Sequence, residues 1–267
     1  MENSLQEKYL KLLEYIKTLD SCVVAFSGGV DSTFLLKACI DALGDNVLAV
    51  TIDTPYIPRW EIKEGKDFAK KLKVKHKFIN IPIMDEIKNN PIDRCYLCKK
   101  QVFSAIKKLA SEEGYKHVVD GTNYDDTKDY RPGMKALKEL GIKSPLMYME
   151  FNKRHIRDLS KELGLSTWKK PAYACLLSRI PYESYIKIED LKKIEKSEKY
   201  LMNIGFKAVR VRCHGDLARI EVDKNDFKNI LEEELLDVIG DKLKEYGFKY
   251  VTLDVKGYRM SGLELKK

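Results

Sequence analysis

A loop with two adjacent glycines follows a short apolar run near the start of the chain. Residues 22–26 read CVVAF, residues 27–32 read SGGVDS, and a helical pattern follows over residues 33–43. Glycine lets the backbone approach an anion closely, and the first turn of a helix offers unpaired N–H groups and the positive end of its dipole. The order of strand, loop and helix therefore predicts a phosphate cradle. Its residues are Ser27, Gly28, Gly29, Asp31 and Ser32.

The spacing in this loop separates two kinds of phosphate-binding protein. Kinases and GTPases need G-x-x-x-x-G-K-[ST], whereas the first lysine here, Lys37, comes five positions after Ser32. The loop instead resembles the SGGxDS pyrophosphate loop (PP-loop) of the N-type ATP pyrophosphatases, which include NAD and GMP synthetases and tRNA thiolation enzymes. That resemblance implies cleavage of ATP between its α and β phosphates, with a substrate oxygen receiving AMP.

Several carboxylates lie where a nucleotide and its metal ion are expected. Asp31 within the cradle is suited to holding a divalent metal ion or to orienting donors. Nucleotides bind at the carboxyl ends of parallel strands, which places Asp53 and Gly121, each just after a predicted strand, near the nucleoside. Asp125 follows in an acidic segment that suits Mg²⁺ on a polyphosphate, although an acidic turn capping the next helix explains it nearly as well. Asp31 and Asp125 are the predicted Mg²⁺ ligands.

Three of the six cysteines are candidates for chemistry. Cys95 and Cys98 are three apart at a predicted helix start, where the helix dipole favours thiolates. One C-x-x-C pair suits a redox couple, half of a zinc site or the ligands of a cluster, and a second pair for a structural zinc site is missing. With Cys175, the pair could hold a 4Fe-4S cluster that leaves one iron open. Cys22, Cys39 and Cys213 fall within predicted strands and a helix, where they are expected to pack as small apolar residues.

The elements around these residues alternate between strands and helices. Strands are predicted at residues 22–26, 47–52, 75–79 and 117–120, and helices at residues 5–19, 33–43, 60–72, 99–112 and 152–163. This rhythm predicts an α/β fold with a parallel sheet and helices on both faces. From residue 185 the pattern becomes helix, two strands, helix and strand, which predicts a small α+β domain. We expect residues 1–180 to form the nucleotide domain with the cysteine site, and residues 181–267 to form a domain for substrate binding and oligomerisation.

Composition limits the remaining possibilities. The formal net charge is +8, and the basic residues are 39 lysines and only 10 arginines. This composition favours a solvated lysine-rich surface over a nucleic-acid interface. The longest stretch without a charge, residues 21–30, is too short to span a membrane, and the N-terminus does not resemble a signal peptide. We therefore expect a cytoplasmic protein that binds neither membrane nor nucleic acid.

Arg210 and Arg212 project from one face of a predicted strand and form a candidate phosphate clamp.

Sequence segments along nearly the whole chain are similar to the LarE family, ATP-dependent sulfur transferases that make the nickel-pincer nucleotide cofactor of lactate racemase. The similar segments, beyond the glycine loop, are residues 90–99, 120–123, 129–133, 170–182, 210–222 and 253–259. Some members of that family carry only the cysteine that matches Cys175 and sacrifice its sulfur, whereas others carry all three and are thought to use a cluster. This chain has all three, and it has Leu177 and Glu183 where members often have alanine and glycine.

The resemblance implies a reaction and the residues that carry it out. ATP and Mg²⁺ bind at the loop, a carboxylate of a pyridinium mononucleotide is adenylylated, and sulfur from Cys175 or from a 4Fe-4S cluster on Cys95, Cys98 and Cys175 gives a thiocarboxylate. Arg131 and Arg179 lie in the similar segments and are expected to bind a ligand, and the Arg210–Arg212 clamp is implied to hold the substrate phosphate. The expected partners are a small phosphorylated carboxylate, a sulfide or other sulfur donor, and further copies of the chain in a homo-oligomer.

Two other functions compete with this one. A tRNA thiolation enzyme would share the loop, the paired cysteines and the positive charge, but no RNA-binding module is recognisable. A nucleotide-binding sensor would keep the loop without turning ATP over. Release of pyrophosphate that depends on a carboxylate substrate would exclude the sensor.

Overall fold

Four short strands that run in the same direction form the first sheet. In the computed structural model, which describes residues 2–128, 132–171 and 173–258, they are β1 (Cys22–Ala25), β2 (Val47–Asp53), β3 (Lys75–Asn80) and β4 (His117–Val119). Their order is β3-β2-β1-β4, and every neighbouring pair is parallel. Central strands β1 and β2 are buried over nearly their whole length, as expected for strands covered by helices.

Helices flank this sheet. Their bounds are α1 (Glu2–Lys17), α2 (Val30–Leu43), α3 (Arg59–Lys71), α4 (Arg94–Glu112), α5 (Pro132–Glu139), α6 (Pro145–Tyr148) and α7 (Lys153–Glu162). The core packs α1 and α2 against β1 and β2 through fully buried side chains such as Leu12, Phe34 and Leu36. None of the helices in the described ranges is both long enough and apolar enough to cross a membrane.

The later part of the chain forms a second, smaller sheet with helices around it. The elements of this part are α8 (Ile188–Asn203), β5 (Val209–His214), β6 (Leu217–Val222), α9 (Phe227–Ile230), α10 (Glu233–Glu245) and β7 (Tyr250–Leu253). The strand order is β5-β6-β7, with β5 and β6 antiparallel and β6 and β7 parallel. The predicted parallel α/β sheet followed by an α+β region is thus confirmed.

The chain divides into two compact units. The first contains Met1–Met84 and Asp93–Tyr173, and the second contains Asp85–Ile92 and Ala174–Lys267. Residues 85–92 join the second unit because the buried Asn90 amide donates to the carbonyl oxygens of Ile180 and Pro181, each at 2.9 Å. The assignment of distinct functions to residues 1–180 and 181–267 stays a prediction.

Some predicted boundaries differ from the structure. Helix α4 begins at Arg94, five residues earlier than predicted, because the Asp93 carbonyl accepts hydrogen bonds from the N–H groups of Tyr96 and Leu97. The single helix predicted between the second and third strands of the small domain is interrupted at Glu232, whose backbone is extended, so that α9 and α10 are separate. Helices α5 and α6 were not predicted, since their four to eight residues are too few for a periodic signal.

Candidate active site

The glycine loop connects β1 to α2 with a backbone that presents donors. Gly28 has φ +71°, and a Cβ there would meet the Gly65 Cα of α3 at 3.1 Å, so both its conformation and its packing require glycine. Gly29 is the N-cap of α2 and has no side chain with which to cap the helix. No side chain at the N-cap therefore accepts hydrogen bonds from the N–H groups of the first turn of α2. An anion site requires such N–H groups to be left for the ligand.

Two hydroxyls lie at the mouth of the loop. Ser27 Oγ and Ser32 Oγ are 3.0 Å apart, and Ser32 Oγ donates to the Gly29 carbonyl at 3.2 Å. The Gly29 N–H reaches Ser27 Oγ at 3.4 Å. The structure therefore brings together the predicted cradle residues Ser27, Gly28, Gly29 and Ser32, with hydroxyl oxygens close to the backbone donors.

Gly121 follows β4 and supports this cradle from the side. A Cβ at Gly121 would lie 2.9 Å from the Ser32 backbone nitrogen and 3.2 Å from the Asp31 carbonyl carbon. The residue thus packs directly against the first turn of α2. Sequence reasoning placed Gly121 near the nucleoside, and the structure adds a steric reason for glycine at this position.

Asp31 and Asp125 are joined by a residue that sequence reasoning missed. The Lys153 ammonium forms an ion pair with Asp31, and the backbone N–H of Lys153 donates to Asp125 at 2.8 Å. This N–H and the Lys128 ammonium lower the pKa of Asp125. The other Asp31 oxygen, Oδ1, is buried without a hydrogen-bond partner among the described residues. Two carboxylates that contact the same residue, one of them with a buried oxygen that lacks a partner among the described residues, are hard oxygen donors and fit Mg²⁺.

Lys153 directly follows the residue that caps helix α7. Asn152 caps α7 by accepting from the His155 N–H at 2.9 Å, and Lys153 is the first residue of that helix. A helix is predicted from residue 152, but nothing local in the sequence indicates that the Lys153 side chain meets Asp31, 122 residues earlier in the chain.

Other polar residues at the carboxyl ends of the strands bind each other. Asp53, at the end of β2, forms an ion pair with Arg59. Thr51 Oγ1 donates to the Phe26 carbonyl at 2.7 Å and lies 2.8 Å from His76 Nε2. Burial lowers the pKa of His76 to about 4, so the ring is neutral near pH 7 and donates to Thr51. These contacts fix the end of β1 immediately before the loop.

Cys95 and Cys98 lie in the first turn of α4. Cys95 is exposed, whereas Cys98 is half-buried with its Sγ 3.2 Å from the Tyr56 hydroxyl. The spacing of three residues puts both thiols on one helical face, which fits a pair of ligands. The predicted third ligand, Cys175, belongs to the second unit. Within the described ranges no group of three or more His, Cys, Asp or Glu side chains is placed to hold a metal ion.

The remaining cysteines pack in the interior, as predicted. Cys22, Cys39 and Cys213 are buried. Burial raises the pKa of Cys213 to about 11, and a hydrogen bond from Cys22 and burial raise that of Cys39. The raised pKa values keep the Cys39 and Cys213 thiols protonated and unsuited to nucleophilic chemistry.

In the second unit, Arg179 holds the backbone at Cys175. Its guanidinium forms a two-point ion pair with Glu198, at 2.8 and 3.0 Å, and donates to the carbonyls of Ala174 at 2.7 Å and Cys175 at 3.2 Å. The Ser178 hydroxyl also donates to the Cys175 carbonyl at 2.9 Å. Although Arg179 was predicted to contact a ligand, here it is almost fully buried and positions the peptide that carries Cys175.

Arg210 and Arg212 share one face of β5, but their surroundings differ. Arg212 forms a buried ion pair with Glu221 and donates to the Ser178 carbonyl at 2.8 Å. Arg210 packs 5.0 Å from the centre of the Tyr258 ring, and its Nη1 is buried without a partner among the described residues. Burial and the neighbouring Arg179 lower the pKa of Arg210. Of these two arginines, Arg210 therefore offers the guanidinium nitrogen that an anion could satisfy.

Two further residues singled out from the sequence are Glu183 and Arg131. Glu183, where the similar family often has glycine, has φ +57°, a conformation that glycine adopts without strain. Its N–H donates to the Asn90 carbonyl at 3.2 Å. Arg131, predicted to bind a ligand, lies outside the described residues.

Comparisons with known proteins agree with this geometry. Residues 21–124 match the family model described as queuosine biosynthesis protein QueC. The chain is 38% identical over 259 residues to the pyridinium-3,5-bisthiocarboxylic acid mononucleotide synthase of Lactiplantibacillus plantarum, with 96% of this chain and 93% of that protein covered. It is 37% identical to an uncharacterized protein of Synechocystis, with 97% of each covered. It is 26% identical over 166 residues to a subunit of the glutamine-hydrolyzing GMP synthase of Thermoplasma volcanium, with 56% of this chain and 53% of that one covered.

Proposed function

The chain belongs to the LarE family of PP-loop ATP-dependent sulfurtransferases, and we propose that its substrate is pyridinium-3,5-biscarboxylic acid mononucleotide. The relative from Lactiplantibacillus is named for a bisthiocarboxylic acid mononucleotide, a product with sulfur on two carboxyl groups and one phosphate. A phosphorylated dicarboxylate is the acid from which such a product forms.

The observation that carries this proposal is the uncapped start of α2 behind the glycine loop. Gly28 at positive φ, the Gly29 N-cap and the hydroxyls of Ser27 and Ser32 place backbone and side-chain donors at one point. Oriented donors of this kind stabilise negative charge that develops on a phosphoryl group. The geometry thus supports binding of the ATP polyphosphate at the loop.

The reaction follows from this placement. A substrate carboxylate oxygen attacks the α phosphorus of ATP, the bond to the bridging oxygen breaks, and pyrophosphate leaves with that electron pair. The loop donors and the Lys153 ammonium stabilise the charge on the departing pyrophosphate. A sulfur nucleophile then attacks the acyl adenylate carbon, and AMP leaves with the electron pair of the acyl C–O bond. Sulfide gives the thiocarboxylate directly. The Cys175 thiolate would give a thioester, whose Cβ–S bond breaks with loss of the Cα proton to leave dehydroalanine and the thiocarboxylate.

Mg²⁺ would be held by Asp31 and Asp125, where it would neutralise polyphosphate charge. Lys153 bridges these two carboxylates by a side-chain ion pair and a backbone hydrogen bond. We propose that the Lys153 ammonium turns toward the polyphosphate when the metal ion takes its place at Asp31.

For the sulfur step we propose that Cys95, Cys98 and Cys175 act together. A 4Fe-4S cluster bound by three thiolates would supply sulfide from an iron that no protein ligand occupies. Arg179 donates to the carbonyl of Cys175 and so positions the segment that carries this thiol. Binding of the substrate phosphate is assigned to Arg210, whose Nη1 is unpartnered among the described residues.

Anaerobic incubation with ATP, Mg²⁺ and the carboxylated mononucleotide tests the function. We expect release of AMP and pyrophosphate and a product in which sulfur has replaced a carboxylate oxygen, measured by mass spectrometry. Iron and acid-labile sulfide are assayed on the same protein. If C95A/C98A protein without iron still transfers sulfur and its own mass falls by H₂S at Cys175, the cluster role is wrong and the sacrificial route holds. C213A serves as the matched control, because Cys213 is buried in packing.

A further inference from the structure

The carbonyl oxygen of Gly28 has a specific cationic partner. Lys170 Nζ lies 3.1 Å from this oxygen and 2.9 Å from the Glu64 carboxylate. The Lys170 side chain is 12% exposed, whereas the Glu64 side chain is 54% exposed. A largely buried ammonium is therefore fixed between the loop and helix α3, within the first unit.

Helix α3 packs closely against Gly28 and leaves no room for a side chain there. Gly65 of α3 lies directly behind the loop, 3.1 Å from where a Gly28 Cβ would be. A cleft of about 460 Å³ opens beside it and is lined in part by Gly28, Glu64, Phe68, Thr167 and Lys170. On the cleft side, the Lys170 ammonium donates to the Gly28 carbonyl.

The orientation of this carbonyl determines that of the next N–H group. The peptide between Gly28 and Gly29 is planar and trans, so its C=O and N–H point in opposite directions. With the oxygen held at Lys170, the Gly29 N–H points toward the hydroxyl of Ser27, 3.4 Å away at the mouth of the cradle. Two consecutive glycines have a low barrier to rotation of that peptide, because neither has a Cβ to restrict it.

We propose that Lys170, anchored by Glu64, is a positioning residue that fixes the Gly28–Gly29 peptide with its N–H directed at the bound polyphosphate. The inference rests on the proposed function, since it needs an anion at the loop. Lys170 itself acts through the carbonyl on the side of the loop away from the Ser27 hydroxyl. Its effect is therefore expected in the affinity for the anion and in the pyrophosphate-releasing step.

The test measures pyrophosphate binding by calorimetry and the KM and kcat for ATP in pyrophosphate release, on full-length protein. K170M removes the donor and keeps the packing of the stem. Because a hydrogen bond to a charged group is lost when the peptide turns, we expect the Kd for pyrophosphate and the KM for ATP to rise roughly tenfold or more. K170R keeps donors for the Gly28 carbonyl and the Glu64 carboxylate, and we expect it to recover most of the lost affinity. E64A frees the Lys170 ammonium to move, and we expect it to raise the Kd and the KM by an intermediate factor.

The control is K169M, which removes the same charge one residue earlier, where the ammonium lies 4.7 Å from the centre of the Trp168 ring. Equal weakening by K169M and K170M would show a general charge effect and overturn the inference. So would a K170M protein with an unchanged melting temperature and a pyrophosphate Kd within about twofold of wild type. Wild-type protein that binds neither pyrophosphate nor ATP would instead refute the proposed function itself.

Discussion

Replacing Gly121 with alanine is expected to disturb the phosphate cradle through backbone contact alone. The new Cβ would lie 2.9 Å from the Ser32 nitrogen, 3.1 Å from the Ser32 Cα and 3.2 Å from the Asp31 carbonyl carbon. Ordinary contact begins at 3.4 Å, so the first turn of α2 or the loop after β4 has to move by about 0.5 Å. All three atoms belong to the backbone, so no side-chain rotation can relieve the contact.

Overpacking of this kind costs about 1–3 kcal/mol in free energy of unfolding, and each kcal/mol lowers the melting temperature by about 2–4 °C in a domain of this size. Because the moved atoms include the N–H donors of the cradle, we also expect the Kd for pyrophosphate to rise by about tenfold. Thermal unfolding followed by fluorescence measures the first effect, and calorimetric titration with pyrophosphate measures the second.

Gly65 provides a control on the other side of the same loop. Its added Cβ would meet only Phe26 Cε1 at 3.7 Å and the Gly28 backbone at 3.8 and 3.9 Å, which is ordinary contact. Inside helix α3, G65A is expected to be neutral or to stabilise by up to about 1 kcal/mol. If G121A is as stable as wild type and binds pyrophosphate equally well, or if G65A is destabilised as much, the steric reasoning is wrong.

Three further predictions follow from ion pairs and titration. K153M is expected to lower the rate of pyrophosphate release by at least about tenfold, with K153R partly active, because the Lys153 ammonium pairs with Asp31 in the cradle; equal rates would contradict this. R212A removes the buried two-point partner of Glu221 and leaves it the more exposed Arg219, so it should cost up to about 3–5 kcal/mol of stability in urea unfolding, whereas R210A should weaken substrate binding with a smaller loss. The pKa of His76 is lowered to about 4, below its value in the unfolded chain, so unfolding takes up a proton and stability falls as the pH decreases from 6.5 toward 4. H76Q is expected to flatten that part of the melting-temperature profile, and an unchanged slope would refute the assignment.

The parts of the site that are local in sequence were predictable. The strand, glycine loop and helix occupy one continuous segment, and the need for positive φ and an uncapped helix start follows from the glycines themselves. The packing of Cys22 and Cys39 likewise follows from their place in a buried strand and helix. Such features depend on neighbours a few residues away, which a single sequence displays.

Contacts between distant segments were not predictable in the same way. Lys153 and Lys170 reach the loop from more than a hundred residues away, and neither belongs to a pattern that indicates its partner. The pairing of Arg212 with Glu221 could be predicted more nearly, because both residues lie in one hairpin. Once β5 and β6 are taken as a hairpin, Arg212 pairs with Arg219, and Glu221 lies two residues further on the same face.

The ion pairs of the second unit give Arg179 and Arg212 structural roles. Arg179 and Arg212 are each neutralised by a buried glutamate, and the carbonyls of Ala174, Cys175 and Ser178 receive their remaining donors. Removing a carboxylate partner would leave a buried charge, so these pairs hold the segment around Cys175 in one conformation. Arg210 lies on the same strand with burial and a positive neighbour opposing its charge, and it has a nitrogen with no partner among the described residues. An anion bound there would gain a donor that is already desolvated and fixed, without a new cost of ordering the side chain, and this supports the proposal that Arg210 binds the substrate phosphate.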